Sequence, residues 1–476
     1  MNILSRLGIS TVVFTAFALA SCGEDNGALI DNVEKDIPKE EFQKKEAVIS
    51  FLTSQIDKIN PTYAPEVFYR EVVGNTEVDE LKKEMWQNWA KANTERMSQL
   101  SEWHFEIMST RFGGGSSGGG TGNSREMIWN IPEEEVMPIY TLAKGEQPAE
   151  GYPMIINLHG GGSYPNTPDA HGSSVNREEY ASAQRLARTY EDAPSFYFVP
   201  RMSDDRKGRW HYMPQRFVYR KAFQMAVLSG KVDANRYYLT GVSEGGYGTL
   251  RVSLFMPDYF AAVGVLAAAD NPNSTAVNLR NLPFRMEVGT EDNGYSRNLY
   301  AFRWQDKMKE LKAESPNDYT HVVKLQEGRD HIGTRYLDTT PWMVKFKRNT
   351  YPAHVTYEYY NIHPSSLPWQ GGYSDGVYYL DFRKLTTDSN KSRMLIDVVK
   401  SGNTYTVKTS NTEGSVSGQL GIYLKDVDYN NDVVVVHNGK EVFKAKVKNN
   451  RGVAMESIAL FGDPERVFTA KVNIKI

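Results

Sequence analysis

A serine set between glycines, followed along the chain by an acid and a histidine, has the residue types for nucleophilic acyl transfer. Ser243 lies in Gly241-Val242-Ser243-Glu244-Gly245, a G-x-S-x-G pattern. A serine hydroxyl is a poor nucleophile near neutral pH until a base takes its proton, and that base must be oriented by an acid. After Ser243 the histidines are His321, His331, His354, His363 and His437. His331 stands in a loop, Gly328-Arg329-Asp330-His331, just after the strand-like THVVKL. His321 begins that strand, and the last three fall in or at the edge of a later β-rich region. His331 is therefore the expected base. The acid should follow a strand between Ser243 and His331. FRMEVG is followed by Thr290-Glu291-Asp292, and the G-x-x-D spacing from Gly289 favours Asp292, with Glu291 as the alternative. Asp330 directly precedes His331 and is a poor partner for it. Upstream, His159-Gly160-Gly161-Gly162 closes another apolar stretch. Gly161 and Gly162, with the backbone N–H of Glu244, are the candidate donors to a developing oxyanion.

Chance supplies G-x-S-x-G in about one chain in five of this length and glycine content. Its weight comes from its setting. RYYLTG (236–241) reads as a strand and the run from Thr249 as a helix, so Ser243 falls at a strand-to-helix turn tight enough to require small neighbours. Further short strands are expected at 137–142, 153–160, 195–200, 261–268, 284–289 and 320–325, with helices over 177–190, 214–229 and 296–312. Such alternation specifies an α/β domain with a mostly parallel sheet covered by helices on both faces. Beyond about 352 the chain turns β-rich, with Asn438-Gly439 between two apolar runs as a hairpin signal. An antiparallel β-sandwich is expected there. Before the catalytic part, Val48, Phe51, Leu52, Ile56 and Ile59 recur at helical spacing, and a second helix is expected over 78–100. The two should form a hairpin packed on the next domain. The glycine-rich 113–122 lacks the Lys-Ser/Thr ending of a phosphate loop and reads as a linker. The expected organisation is a leader over 1–21, a tether over 22–38, a helical region with linker over 39–126, a catalytic domain over 127–351 and a β-domain over 352–476.

The leader has Arg6 and then an apolar run from Leu7 to Ala20, too short to span a bilayer. It ends in Leu19-Ala20-Ser21-Cys22, which looks like a bacterial lipobox. Cys22 is the chain's single cysteine, so it is the expected lipidation site and no disulfide within the chain can form. The expected location is the cell envelope, at the outer membrane through the lipid anchor, with the outer face and the periplasmic face as alternatives. A net charge of −3 gives no electrostatic case for nucleic acid. The run Asp426 to Asp432 mimics the start of a calcium loop, but it lacks the glycine at the sixth position and has His437 where the twelfth should be acidic. No metal site is expected.

From about 127 to 352 the chain resembles the α/β-hydrolase superfamily, and within it exported hydrolases of the poly(3-hydroxybutyrate)-depolymerase-like and prolyl-oligopeptidase-like kinds. The resemblance rests on GYPMIINLHGGG, VPRMSDDRKGRWHY, VDANRYYLTGVSEGGYGTLR, MPDYFAAV, NLRNLPFRMEVGTEDNGYSRN and GRDHIGTRYLDTTPWM, and covers about half of the chain. The order Ser, Asp, His is that superfamily's. The resemblance implies Ser243 as nucleophile, Asp292 as acid and His331 as base. It also implies that the region of Arg201, Trp210 and His211 lines the cleft. A prolyl oligopeptidase proper carries a propeller ahead of its hydrolase domain, and about 100 residues cannot hold one. The expectation is a carboxylesterase without metal or organic cofactor, its substrate an ester linked to an extracellular polysaccharide. A serine peptidase acting on short peptides and a non-catalytic glycan-binding lipoprotein are the alternatives.

Overall fold

Alternating strands and helices build one large sheet in the middle of the chain. The computed structural model describes residues 39–58, 60–95, 122–129, 136–367 and 369–476. The sheet's strands are β1 (Gly122–Trp129), β2 (Met137–Lys144), β3 (Tyr152–Leu158), β4 (Ser195–Pro200), β5 (Val232–Val242), β6 (Ala262–Leu266), β7 (Phe284–Gly289) and β8 (His321–Gln326). Their order is β1-β2-β4-β3-β5-β6-β7-β8. β2 pairs antiparallel with β1 and β4, and every later pairing is parallel. β3 is buried along its whole length, as a strand covered on both faces must be. Its Met154, Ile156 and Leu158 join one apolar core and Ile155 the core on the opposite face. The helices α1 (Ser174–Thr189), α2 (Met213–Leu228), α3 (Glu244–Phe255) and α4 (Arg297–Glu314) connect successive strands. Ser173 caps α1, its side chain accepting from Asn176 N at 3.2 Å. The sheet takes up the chain from Gly122, at the end of the glycine-rich run, through a strand that the sequence pattern does not mark.

The C-terminal part comprises β9 (His354–Tyr359), β10 (Gly376–Val377), β11 (Leu380–Thr387), β12 (Arg393–Ser401), β13 (Thr404–Glu413), β14 (Val416–Leu424), β15 (Val433–His437), β16 (Lys440–Ala445), α5 (Arg451–Phe461) and β17 (Ala470–Lys475). One sheet has the order β9-β12-β13-β15-β16 and the other β10-β11-β14-β17, and they share an apolar core. Asn438 (φ 48°) and Gly439 (φ 82°) make the expected β15–β16 turn. Two features depart from an all-antiparallel sandwich. β13 and β15 run parallel, because β14 between them crosses to the other sheet. The second departure is α5, buried from Gly452 to Phe461. A helix buried on all sides, with Glu456 and Ser457 among its buried residues, has no amphipathic period to announce it.

The N-terminal helices meet α2 of the sheet domain, whose Leu228 borders their core, and pack most extensively on α5 of the C-terminal part. Val48 and Leu52 of helix Lys39–Gln55, and Leu81, Met85 and Trp89 of helix Val78–Ala92, share a core with Ala454, Met455, Ile458 and Ala459 of α5. Arg451 adds an ion pair to Glu71 at 3.0 Å. The leader, Cys22 and residues 113–121 lie outside the described residues. Among the described residues no helix is long and apolar enough to cross a membrane.

A buried ionic network ties the sheet domain to the C-terminal part. Asp463 accepts from Arg348 at 2.7 and 2.8 Å and from Arg466 at 2.6 Å, and Arg466 also pairs with Asp258. Asp463→Ala leaves Arg348 buried without its carboxylate, so it is expected to cost about 3–5 kcal/mol, read as a lower denaturant midpoint.

Candidate active site

Parallel strands leave their following loops at one edge of the sheet, so residues far apart in sequence meet there. β5 ends at Val242, α3 starts at Glu244, and Ser243 alone makes the turn, at φ 56° and ψ −116°. Such a conformation costs a non-glycine residue about 1–3 kcal/mol and has to be held by its surroundings. Ser243 N donates to Leu266 O of β6 at 2.9 Å, and Tyr247 N donates to Ser243 O at 3.0 Å. The following glycine is required by contact. A Cβ on Gly245 would lie 2.3 Å from Leu158 O.

The loops after β7 and β8 bring the acid and the base. His331 Nε2 lies 3.0 Å from Ser243 Oγ, and His331 Nδ1 lies 2.8 Å from Asp292 Oδ2. The two loops are stitched together by Glu291 N donating to Arg329 O at 2.9 Å. Asp292 is 1% exposed, whereas the His331 side chain is 34% exposed and reaches solvent. Glu291 is exposed and only its backbone takes part, so Asp292 is the carboxylate facing His331. Arg297, at the start of α4, was missed by the sequence reading. Its Nε and a terminal nitrogen donate to Asp292 Oδ1 at 2.8 and 2.6 Å. This buried guanidinium holds the acid in place from the side away from His331. No short-range spacing rule marks an arginine five residues after an acid.

Gly161 and Glu244 line a cavity of about 400 Å³ together with Ser243. Glu244 N is the first helical amide of α3, where no helical carbonyl precedes it. Gly161 has φ 91°, and a Cβ there would lie 2.0 Å from Asn176 Oδ1. Gly162 departs from the expected role. Its N–H donates to Asn176 Oδ1 at 2.9 Å and its carbonyl accepts from Asn176 Nδ2 at 2.9 Å. With its amide engaged, Gly162 anchors the loop instead of facing the cavity.

Of the three expected cleft residues, only His211 lines this cavity. Arg201 is buried and bonds Asp205 through both terminal nitrogens, at 2.6 and 2.8 Å. Asp205 in turn accepts from Asn176 Nδ2 at 2.6 Å. Arg201 thus acts on Gly162 through Asp205 and Asn176. Trp210 is likewise buried and donates from Nε1 to His159 O at 2.9 Å. His159 lies beneath the glycine loop. Burial drives its pKa down to about 3, and its neutral ring accepts from Met202 N at 3.0 Å. Asn176→Ala is expected to lower kcat about 10- to 100-fold with little change in KM, because the loop carrying Gly161 loses its clamp. Steady-state kinetics on a small ester would read this.

The cavity wall has a mixed origin. Arg209, Glu244, Arg251 and Asp270 come from the sheet domain, and His363 from the segment after β9. His363 packs at 5.3 Å from His211 and 5.1 Å from Tyr212, between ring centroids. Met213 N donates to Trp369 O at 2.9 Å, docking the same segment on the start of α2. The C-terminal part therefore completes the cleft. Arg251 joins Asp270 at 2.8 Å and His211 Nε2 at 3.0 Å.

Glu244 pairs with Arg209, yet burial pushes its carboxyl up to about 7. Arg209 is 41% exposed, and solvent screens its charge. Between pH 4.5 and about 7 the folded chain holds a proton that the unfolded chain has released. Stability from this group therefore falls as pH rises through that window. Glu244→Gln should flatten the pH dependence of the denaturant midpoint there.

One strand, β2, antiparallel to the seven others, and a serine at the turn after the fifth strand compose a known plan. This is the α/β-hydrolase fold. No family model and no curated protein matches the chain. Among solved structures it is similar to a thermostable esterase, with 20% identity and a TM-score of 0.35 over 47% of this chain and 63% of that one. It is also similar to a ferulic acid esterase, with 15% identity and a TM-score of 0.32 over 47% and 98%. A third is a poly(3-hydroxybutyrate) depolymerase from Bordetella parapertussis, with 14% identity and a TM-score of 0.34 over 44% and 86%. The chain spans less than two thirds of the thermostable esterase.

Proposed function

We propose that the chain is a serine hydrolase of carboxylic esters, exported and held at the cell envelope by a lipid on Cys22. The observation that carries the catalytic part is the hydrogen-bonded series Ser243–His331–Asp292 on a strained turn, opening into a cavity that Gly161 and Glu244 also line. In this reading His331 Nε2 takes the Ser243 proton as Oγ bonds to the ester carbonyl carbon. The N–H groups of Gly161 and Glu244 receive the oxyanion. His331 then gives its proton to the departing alcohol oxygen as the C–O bond breaks, leaving an acyl group on Ser243. Water, deprotonated by the same nitrogen, bonds to the acyl carbon, and His331 returns that proton to Ser243 Oγ as the Oγ–C bond breaks and the acid leaves. Asp292 keeps the hydrogen on Nδ1 and balances the imidazolium.

The ester is read as a decoration of an extracellular polysaccharide, on the motive of the lipobox-like Leu19-Ala20-Ser21-Cys22. Nitrophenyl acyl esters and aminoacyl nitroanilides assayed in parallel test the ester reading. Faster anilide turnover, lost in Ser243→Ala, would turn it to a peptidase. Cys22→Ser should move the protein from the membrane fraction to the soluble one, and retention there would refute the anchor.

A further inference from the structure

The cavity above Ser243 continues past the nucleophile. It shares Arg251, Asp270 and His363 with a second cavity of about 320 Å³, whose walls also carry Asn271, Asn273 and Thr275. Arg251 comes from α3 and the residues from 270 to 275 from the segment after β6, while His363 comes from the segment after β9. Asp270 and Arg251 are 38% and 34% exposed, so the pocket is open to solvent.

The polar groups here are only partly used within the chain. Asp270 Oδ2 accepts from Arg251 Nε at 2.8 Å, Asn271 Oδ1 from Arg303 at 2.9 Å, and Asn273 Oδ1 from Thr275 N at 2.9 Å. A carboxylate has room for about four hydrogen bonds, and a carboxamide both donates and accepts. Burial and the nearby Arg251, Arg209 and Arg216 hold the His363 pKa below its ordinary value. Its imidazole therefore also donates from one nitrogen and accepts on the other near neutral pH. The largely buried Trp304, Tyr360, Leu250, Leu254 and Ile362 complete the lining and form its floor behind the polar groups.

We propose that this second cavity is a subsite for a sugar attached to the ester cut at Ser243, and that the C-terminal part builds one of its walls through His363. The proposal rests on the reading of Ser243 as the ester-cleaving nucleophile. Sugar hydroxyls donate and accept, which matches a wall of carboxylate, guanidinium, carboxamide and imidazole. The C–H face of a sugar ring suits an aromatic side chain. An apolar acyl chain in the same place would strip water from the Arg251–Asp270 pair and return no hydrogen bond.

The test uses the full chain and four esters: nitrophenyl acetate, cyclohexylmethyl acetate, a methyl glycoside mono-O-acetate and the methyl ester of a methyl uronoside. The third carries the sugar as alcohol and the fourth as acyl group, so they identify which side of the ester occupies the subsite. At least one sugar ester is expected to exceed cyclohexylmethyl acetate in kcat/KM by about tenfold, the worth of one or two net hydrogen bonds. Asp270→Asn and His363→Ala should each lower that ratio severalfold. A sugar ester no better than the cyclohexylmethyl ester, or a ratio that neither variant lowers, overturns the subsite while nitrophenyl acetate is still cleaved. If the folded wild type cleaves no nitrophenyl acetate, the reading of Ser243 fails and the subsite with it.

Discussion

Ser243→Ala is expected to lower kcat on a nitrophenyl ester about 10⁶-fold and to abolish labelling by a fluorophosphonate probe. The size follows from what the side chain does in the fold. Its Oγ meets His331 Nε2 and makes no cap to α3. The turn itself is held by backbone bonds, Ser243 N to Leu266 O and Tyr247 N to Ser243 O, which alanine keeps. Both residues bear the same strain at positive φ, so the melting temperature should change little. A residual rate of about 10³–10⁴ over water is expected from the amide donors and binding. A loss below about tenfold would mean that another group attacks.

Asp292→Asn is expected to lower kcat about 10⁴-fold, with Glu291→Gln within about twofold of wild type. Asp292 Oδ2 accepts from His331 Nδ1, which leaves Nε2 without hydrogen and facing Ser243 Oγ. An asparagine NH₂ turned to His331 would instead favour the tautomer with hydrogen on Nε2, which cannot take the serine proton. The amide would also replace the carboxylate that Arg297 meets at 2.6 Å, so some loss of stability should accompany the loss of rate. Glu291 is exposed and shares only its backbone with the histidine loop. The kcat/KM values of the two variants, measured side by side, decide the acid. Equal losses would mean that it had been misassigned.

Much of the site was legible because local rules govern it. The elbow needs glycines within two residues of Ser243, and a catalytic acid and base need loops after strands, so spacing pointed to Ser243, Asp292 and His331. Arg297 and Asn176 were not legible. Each acts through side-chain hydrogen bonds alone, Arg297 across a turn and Asn176 from α1 to the glycine loop, and such bonds impose no period or spacing. Arg201 and Trp210 stand close in sequence to His211, and proximity in sequence places all three in the cleft. Burial separated them, since a buried guanidinium must find a carboxylate, and Asp205 stands four residues away, turned inward.

Gly162 shows the same limit at the level of one amide. A glycine run states that the backbone can come close to a ligand, but not which N–H remains free. That depended on Asn176, brought in by α1. The position of His363 in the β-rich region speaks against it as the base, yet it stands in the cleft wall. The sequence by itself determined the sheet type, the turn at Ser243 and the order of the reacting groups, because backbone geometry and hydrophobic periodicity are local. The tertiary structure alone decided which amides face the cavity, which arginine steadies Asp292 and that the C-terminal part completes the cleft. Those depend on which surfaces and turns meet when the cores close, and the contacts join residues from five to more than a hundred positions apart.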